Sequence, residues 1–116
     1  MTQLQASENL KDIKYCILDV ETTGLDSNRD HIIEVAGVQY SEDGQIDTFS
    51  SLVRPSVAIP EQITYLTGIT DADVLNAPDI STVSSQFQKF ISTSVVVGHN
   101  INFDIAFLKK SGVTIA

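Results

Sequence analysis

The sequence predicts a mixed α/β fold, a central sheet flanked by helices. Three observations carry this reading: strand-like segments follow one another between Lys14 and Val53, an amphipathic helical pattern runs from Asp79 to Ile91, and the valine run Val95–Val97 leads into a second helical segment. Strands in succession imply a meander, and a strand that returns after a helix adds a crossover to the sheet.

The elements justify themselves in order. Residues 1–13 read as a polar N-terminal arm, and residues 14–116 as one folded domain. Lys14–Glu21 is a strand whose first half is apolar on both faces, the signature of a central, buried strand. Thr22–Asn28 is loop by composition. Strands are predicted over Ile32–Tyr40 and Ile46–Val53, joined by the turn Ser41-Glu42-Asp43-Gly44. Pro60 can start a short helix over Glu61–Leu66, closed by Gly68. Within Asp79–Ile91, Ile80, Val83, Phe87, Phe90 and Ile91 keep to one side of a helix. Val95–Gly98 reads as a short buried strand, and a helix follows from about Asn102 to Lys110, with Asn100 as its cap and Gly112 beyond its end.

Composition narrows the class. With 42% hydrophobic residues the chain can build a globular core, and its longest apolar run is far short of the roughly 20 residues a membrane helix requires. The polar start lacks the basic-then-apolar pattern of a secretory signal. One cysteine, Cys16, cannot form an internal disulfide, so a reduced, cytoplasmic setting is the simplest reading. The net charge of −8 shows no basic stripe for duplex binding; it suits a site in which divalent cations meet phosphate, and equally an acidic surface that aids solubility.

The chemistry concentrates in Asp19-Val20-Glu21. Residues two apart on a strand share a face, so these carboxylates project side by side at the end of an apolar strand. Two ionised carboxylates repel, and hard divalent cations such as Mg²⁺ or Mn²⁺ relieve the repulsion. The spacing alone leaves open that the strand has ended and both acids are solvated. Asp104 adds a third acid in the first turn of the last helix, where the helix dipole also favours negative charge without any ligand.

Asp19-Val20-Glu21-Thr22-Thr23-Gly24-Leu25 resembles the first motif of the DEDD (DEDDh-type) 3′→5′ exonucleases, and His99-Asn100-Ile101-Asn102-Phe103-Asp104 resembles the second. Between them Leu52-Val53-Arg54-Pro55, Ile59-Pro60 and Leu66-Thr67-Gly68-Ile69-Thr70 resemble the spacer of the DNA polymerase III epsilon-like proofreading branch. The resemblance implies a ribonuclease H-like fold and two-metal hydrolysis of phosphodiesters from DNA 3′ ends, with Mg²⁺ or Mn²⁺ as cofactor. It implies Asp19, Glu21 and Asp104 as metal ligands and catalytic residues, Glu21 also touching the terminal nucleotide. By the same likeness Thr22 meets the terminal nucleotide, Thr23 and Gly24 shape the turn, and Leu25 wedges against the last base. His99 and Asn100 line the cleft, and Phe103 offers a stacking face, a role that core packing rivals. His31 receives no chemistry. Lys109 and Lys110 could reach the nucleic-acid backbone or simply complete a basic last turn.

The family pattern also requires a later histidine, the general base, and a final aspartate. His31 and His99 both precede Asp104. The expectation is therefore a domain lacking its third motif and the C-terminal part of the fold, impaired by about 10²–10⁴-fold for want of the base. Apolar surface left uncovered would then favour self-association. Expected partners are single-stranded DNA 3′ ends and a polymerase or helicase. Two other readings stand beside this one: an RNA-trimming exoribonuclease of the same superfamily, and a non-catalytic exonuclease fold serving as an interaction module.

Overall fold

The computed structural model describes residues 13–92 and 94–115, so the polar arm, apart from Ile13, lies outside the described residues. The elements run β1 (Lys14–Thr22), β2 (Ile32–Ser41), β3 (Ile46–Leu52), α1 (Glu61–Thr67), α2 (Asp71–Val74), α3 (Ile80–Ile91), β4 (Val95–Val97) and α4 (Ile101–Lys110). Strand order in the sheet is β3-β2-β1-β4. The first three strands form the expected antiparallel meander, and β4 joins β1 in parallel, pairing Tyr15, Cys16 and Ile17 with Val95, Val96 and Val97.

Apolar side chains on one face of the sheet decide where the helices lie. Cys16, Leu18 and Val20 of β1 and Val35 of β2 are buried with Val83, Phe87 and Ile91 of α3 and with Phe107 and Leu108 of α4. Asp79 caps α3 by accepting a hydrogen bond from Thr82 N at 2.9 Å. An aromatic triad, Phe49, Phe87 and Phe90, ties α3 to β3, with ring centroids 5.3–6.0 Å apart. Buried Gln39 is satisfied where it crosses to the helix layer, donating to Ser94 Oγ at 2.9 Å and to the Phe90 carbonyl at 3.0 Å.

A second, smaller core holds the segment between β3 and α3. The β1–β2 register shifts after Glu21, so that Glu21 faces Glu34 whereas Thr22 faces Ile32. The extra residue, Ile33, turns away from the main core and is buried with Ile59, Ile69, Val74 and Ala77. Helix α1 ends as expected at Gly68, whose φ of +78° is left-handed and favours glycine.

Three expectations require correction, and one helix goes beyond them. The Asp71–Val74 helix was not anticipated, although Thr70 and Asp73 form a reciprocal capping box around it. Asn100 occupies the cap position of α4 but makes no side-chain capping bond. The first half of β1 is buried on one face only: Ile17 is 48% exposed. Likewise β4 is not buried, since Val95 and Val97 are 48% and 43% exposed. Both strands carry apolar residues outward onto a face that is bare among the described residues. There Tyr15 stacks on Tyr40 at 5.5 Å, beside exposed Val38 and Ile46.

Phe87 is fully buried at the centre of the triad. Phe87→Ala is expected to cost about 3–5 kcal/mol, read as a lower urea midpoint at unchanged slope; a loss under about 1 kcal/mol would contradict this account of the core.

Candidate functional site

Strand alternation puts Tyr15, Ile17, Asp19 and Glu21 on the bare face of β1, opposite Cys16, Leu18 and Val20 in the core. Asp19 is exposed and Glu21 half-buried. Both acids therefore stand at the end of a strand whose other face is locked by packing. β4 stops at Val97, opposite Ile17, so among the described residues β1 has no strand neighbour on that edge beyond Ile17. Helix α4 begins at this gap, and its first-turn Asp104, only 4% exposed, lies beside the Val20 backbone. The three acids singled out in the sequence thus converge at one place.

Electrostatics records the crowding. Burial, then the charge of Asp19, pushes the Asp104 carboxyl up to about 6, against a smaller opposing pull from the Val20 backbone. Burial raises Glu21 above its ordinary value, and the charges of Asp19, Glu34 and Asp104 and a hydrogen bond with Asp19 push the same way. Glu34 is a fourth carboxylate, placed opposite Glu21 by strand register. Among the described residues, no three His, Cys, Asp or Glu side chains close into a cation cage.

Beside the acids, the loop after β1 is held in one shape. Thr22 Oγ1 donates to the Gly24 carbonyl at 2.6 Å. Thr23 bridges the loop's two ends: its N–H donates to the His31 carbonyl at 2.8 Å, and its Oγ1 accepts from His31 N at 2.9 Å. Asp30 closes the loop, accepting from Asp26 N at 3.0 Å and, more weakly, from Thr23 Oγ1 at 3.5 Å. Its carboxylate lies so close to Gly24 that any Cβ there would collide with it. Leu25 is left 87% exposed at the loop's tip. His99 and Asn100 are also exposed at the start of α4, while Phe103 is half-buried and packs on Phe107 at 4.9 Å.

Sequence reasoning missed Glu34 and Asp30. Glu34 becomes visible only once the β1–β2 register is known. Asp30 could have been suspected from its position just before a strand, where a short acid often closes a turn on backbone N–H groups.

The described residues match known proteins over most of their length. A family model described as an exonuclease, RNase T, matches residues 16–115. A DNA polymerase III PolC-type protein of Clostridium perfringens is 41% identical over 108 residues, covering 93% of this chain and 8% of that protein. The DNA polymerase III subunit epsilon of Aquifex aeolicus is 37% identical over 107 residues, covering 92% of this chain and 53% of the subunit. The chain thus spans about half of that subunit and under a tenth of the PolC-type protein. Among solved structures, Escherichia coli exonuclease I bound to a dA13 oligonucleotide superposes with a TM-score of 0.74 at 14% identity, over 84% of this chain and 23% of that one. Exonuclease I from Methylocaldum szegediense superposes with a TM-score of 0.73 at 21% identity, over 82% and 22%. At those identities the likeness establishes the fold, a ribonuclease H-like one.

Asp104 yields a pH prediction for the metal-free protein. Its pKa is raised on folding, so the carboxyl is neutral in both states well below pH 4 and costs nothing there. The cost grows as pH rises from about 4 to about 6 and is complete above that. Asp104→Asn is therefore expected to be more stable than the parent by about 2–3 kcal/mol near neutral pH, the gain vanishing in acid. Denaturant unfolding across pH reads it, and a gain equal at every pH would rule out the electrostatic cause.

Proposed function

The chain belongs to the exonuclease family whose RNase T model spans it, and on that premise we propose that it is a metal-dependent 3′→5′ exonuclease domain that removes nucleotides from DNA 3′ ends. The carrying observation is the convergence of Asp19, Glu21 and Asp104 beside a rigid loop that presents Leu25.

The donor set fits Mg²⁺ or Mn²⁺. All of its side-chain donors are carboxylate oxygens, and their mutual repulsion, seen in the raised Glu21 and Asp104, is what a hard cation relieves. Asp19 and Asp104 would hold the cations, and Glu21 would ligate one while contacting the terminal nucleotide. Two such ions when bound supply an activated water and charge stabilisation at the leaving 3′ oxygen.

The remaining roles belong to the chain's own side chains. Thr22, fixed by its bond to Gly24, presents its backbone to the terminal nucleotide. Thr23 and Gly24 hold the turn, and Leu25 wedges against the last base. His99 and Asn100 line the approach to Asp104, and Phe103, braced by Phe107, offers its free side to a base. DNA is favoured over RNA because the relatives are DNA polymerase III proteins. A polymerase is the partner this reading implies, and a cytoplasmic setting is part of it. In that setting Cys16 stays an inert core residue, since burial pushes its thiol up to about 11. The bare sheet face, with Ile17, Val38, Val95 and Val97 exposed, supports self-association of the isolated chain.

Two measurements test this reading. Mn²⁺ titration, followed by paramagnetic broadening, is expected to show binding that Asp19→Ala weakens at least about tenfold, as loss of a carboxylate ligand should. Parallel digestion of 3′-labelled DNA and RNA oligomers should show any turnover confined to DNA and abolished by the same substitution. Equal Mn²⁺ affinity in the two proteins would overturn the metal reading. Sedimentation should in turn reveal concentration-dependent association, suppressed by Ile17→Lys; a monomer at all concentrations would exclude it.

A further inference from the structure

On the helix-covered side of the same sheet end lies a cavity of about 420 Å³ that the acid site does not use. Its walls come from the β1–β2 loop, the end of β3, the start of α3 and the end of α4. Arg29, His31, Arg54 and Lys110 line it, with Phe107 behind them. The concentration of cations is the telling feature. The chain carries seven Lys and Arg against fifteen Asp and Glu, yet both of its arginines and a lysine converge here.

The two acids in the lining each accept a backbone hydrogen bond, and Asp79 also feels the charge of Arg54. Asp79 caps α3 through Thr82 N, and Asp30 holds the Asp26 N–H. Arg54 is braced by donating from Nη1 to the Ala77 carbonyl at 3.3 Å, which leaves other guanidinium donors available. Arginine suits phosphate because its planar fork donates two parallel hydrogen bonds. The volume falls within the range of small-molecule sites, about 300–1,000 Å³, and the apolar backing offers surface to a base.

We propose that this cavity binds a phosphate-bearing nucleotide unit, with Arg29, Arg54 and Lys110 on the phosphate and the apolar wall against the base. The β1–β2 loop joins the two, with the acids at its Thr22 end on the open face and the cavity at its Ser27–Ile32 end on the helix-covered side, so a strand that reaches both has to cross over the loop. The choice of a nucleotide rests on the exonuclease reading; the anion site does not. A free nucleoside monophosphate has the same chemistry as a nucleotide within a strand, and the experiment separates them.

Binding is measured in EDTA, so that the carboxylate site contributes nothing. A fluorescent single-stranded oligothymidylate is titrated with the protein, and dTMP and inorganic phosphate serve as competitors. Arg29→Ala/Lys110→Ala is expected to weaken oligonucleotide binding at least about tenfold, and Arg54→Lys to weaken it as well, since a lysine cannot restore the bidentate contact. Tighter binding of the oligonucleotide than of dTMP assigns the cavity to the strand; equal affinities assign it to the free nucleotide. Unchanged binding in the double variant, or inorganic phosphate competing as well as dTMP, overturns the proposal. Mn²⁺ titration of the double variant should match the parent, which verifies its fold. It also keeps the two readings apart, because a failed metal site would leave the EDTA result standing.

Discussion

The two-sidedness of β1 is the constraint on which the rest of the molecule depends. Its inward residues, Cys16, Leu18 and Val20, are almost completely buried, each large apolar side chain contributing about 1.5–3 kcal/mol when fully removed from water. Its outward residues at the same end are Asp19 and Glu21, which repel each other and Asp104. Packing on one face therefore holds in place an arrangement that the other face resists. Pairing with β2 along the full length of β1 adds the rigidity that a lone strand would lack. The acids are close together because the core, and not their own chemistry, fixes their backbone.

Termination is as important as continuation. Because β4 is only three residues long, the edge of β1 beyond Ile17 is open to the first turn of α4. Asp104 enters there, beside the Val20 backbone. A longer β4 would fill the edge with backbone and leave no room for a carboxylate. On the opposite edge, the register shift after Glu21 sends Ile33 into the second core, which anchors the α1–α2 segment close to the acids. Strand length and register thus define the site as firmly as the residues that line it.

Much of this was legible in the sequence, for identifiable reasons. Period-two alternation reveals that Asp19 and Glu21 share a face, and the first-turn position of Asp104 follows from where a helix can start after Val95–Val97. Cores and amphipathic faces are local patterns, so α3 was placed within a residue of its observed start. What escaped was information held between elements. Helix α2 is too short to show a period, although its capping box is written in Thr70 and Asp73. Apolar residues on both faces of β1 do not reveal whether anything covers the second face. The contribution of Glu34 depends on cross-strand register, and the basic cavity draws on four segments far apart in the chain.

The contact between Gly24 and Asp30 has a consequence for how this loop can change over generations. A side chain at position 24 is blocked while the carboxylate of Asp30 stands beside it, and shortening residue 30 first leaves the Asp26 N–H without its acceptor. A substitution at either position therefore calls for a shift in the other's surroundings. The two positions are thus coupled, whereas among the described residues the neighbouring side chains of Ser27 and Asn28 are left free of hydrogen bonds; that of Asp26 is not, since its Oδ1 accepts from Asn28 N at 2.9 Å.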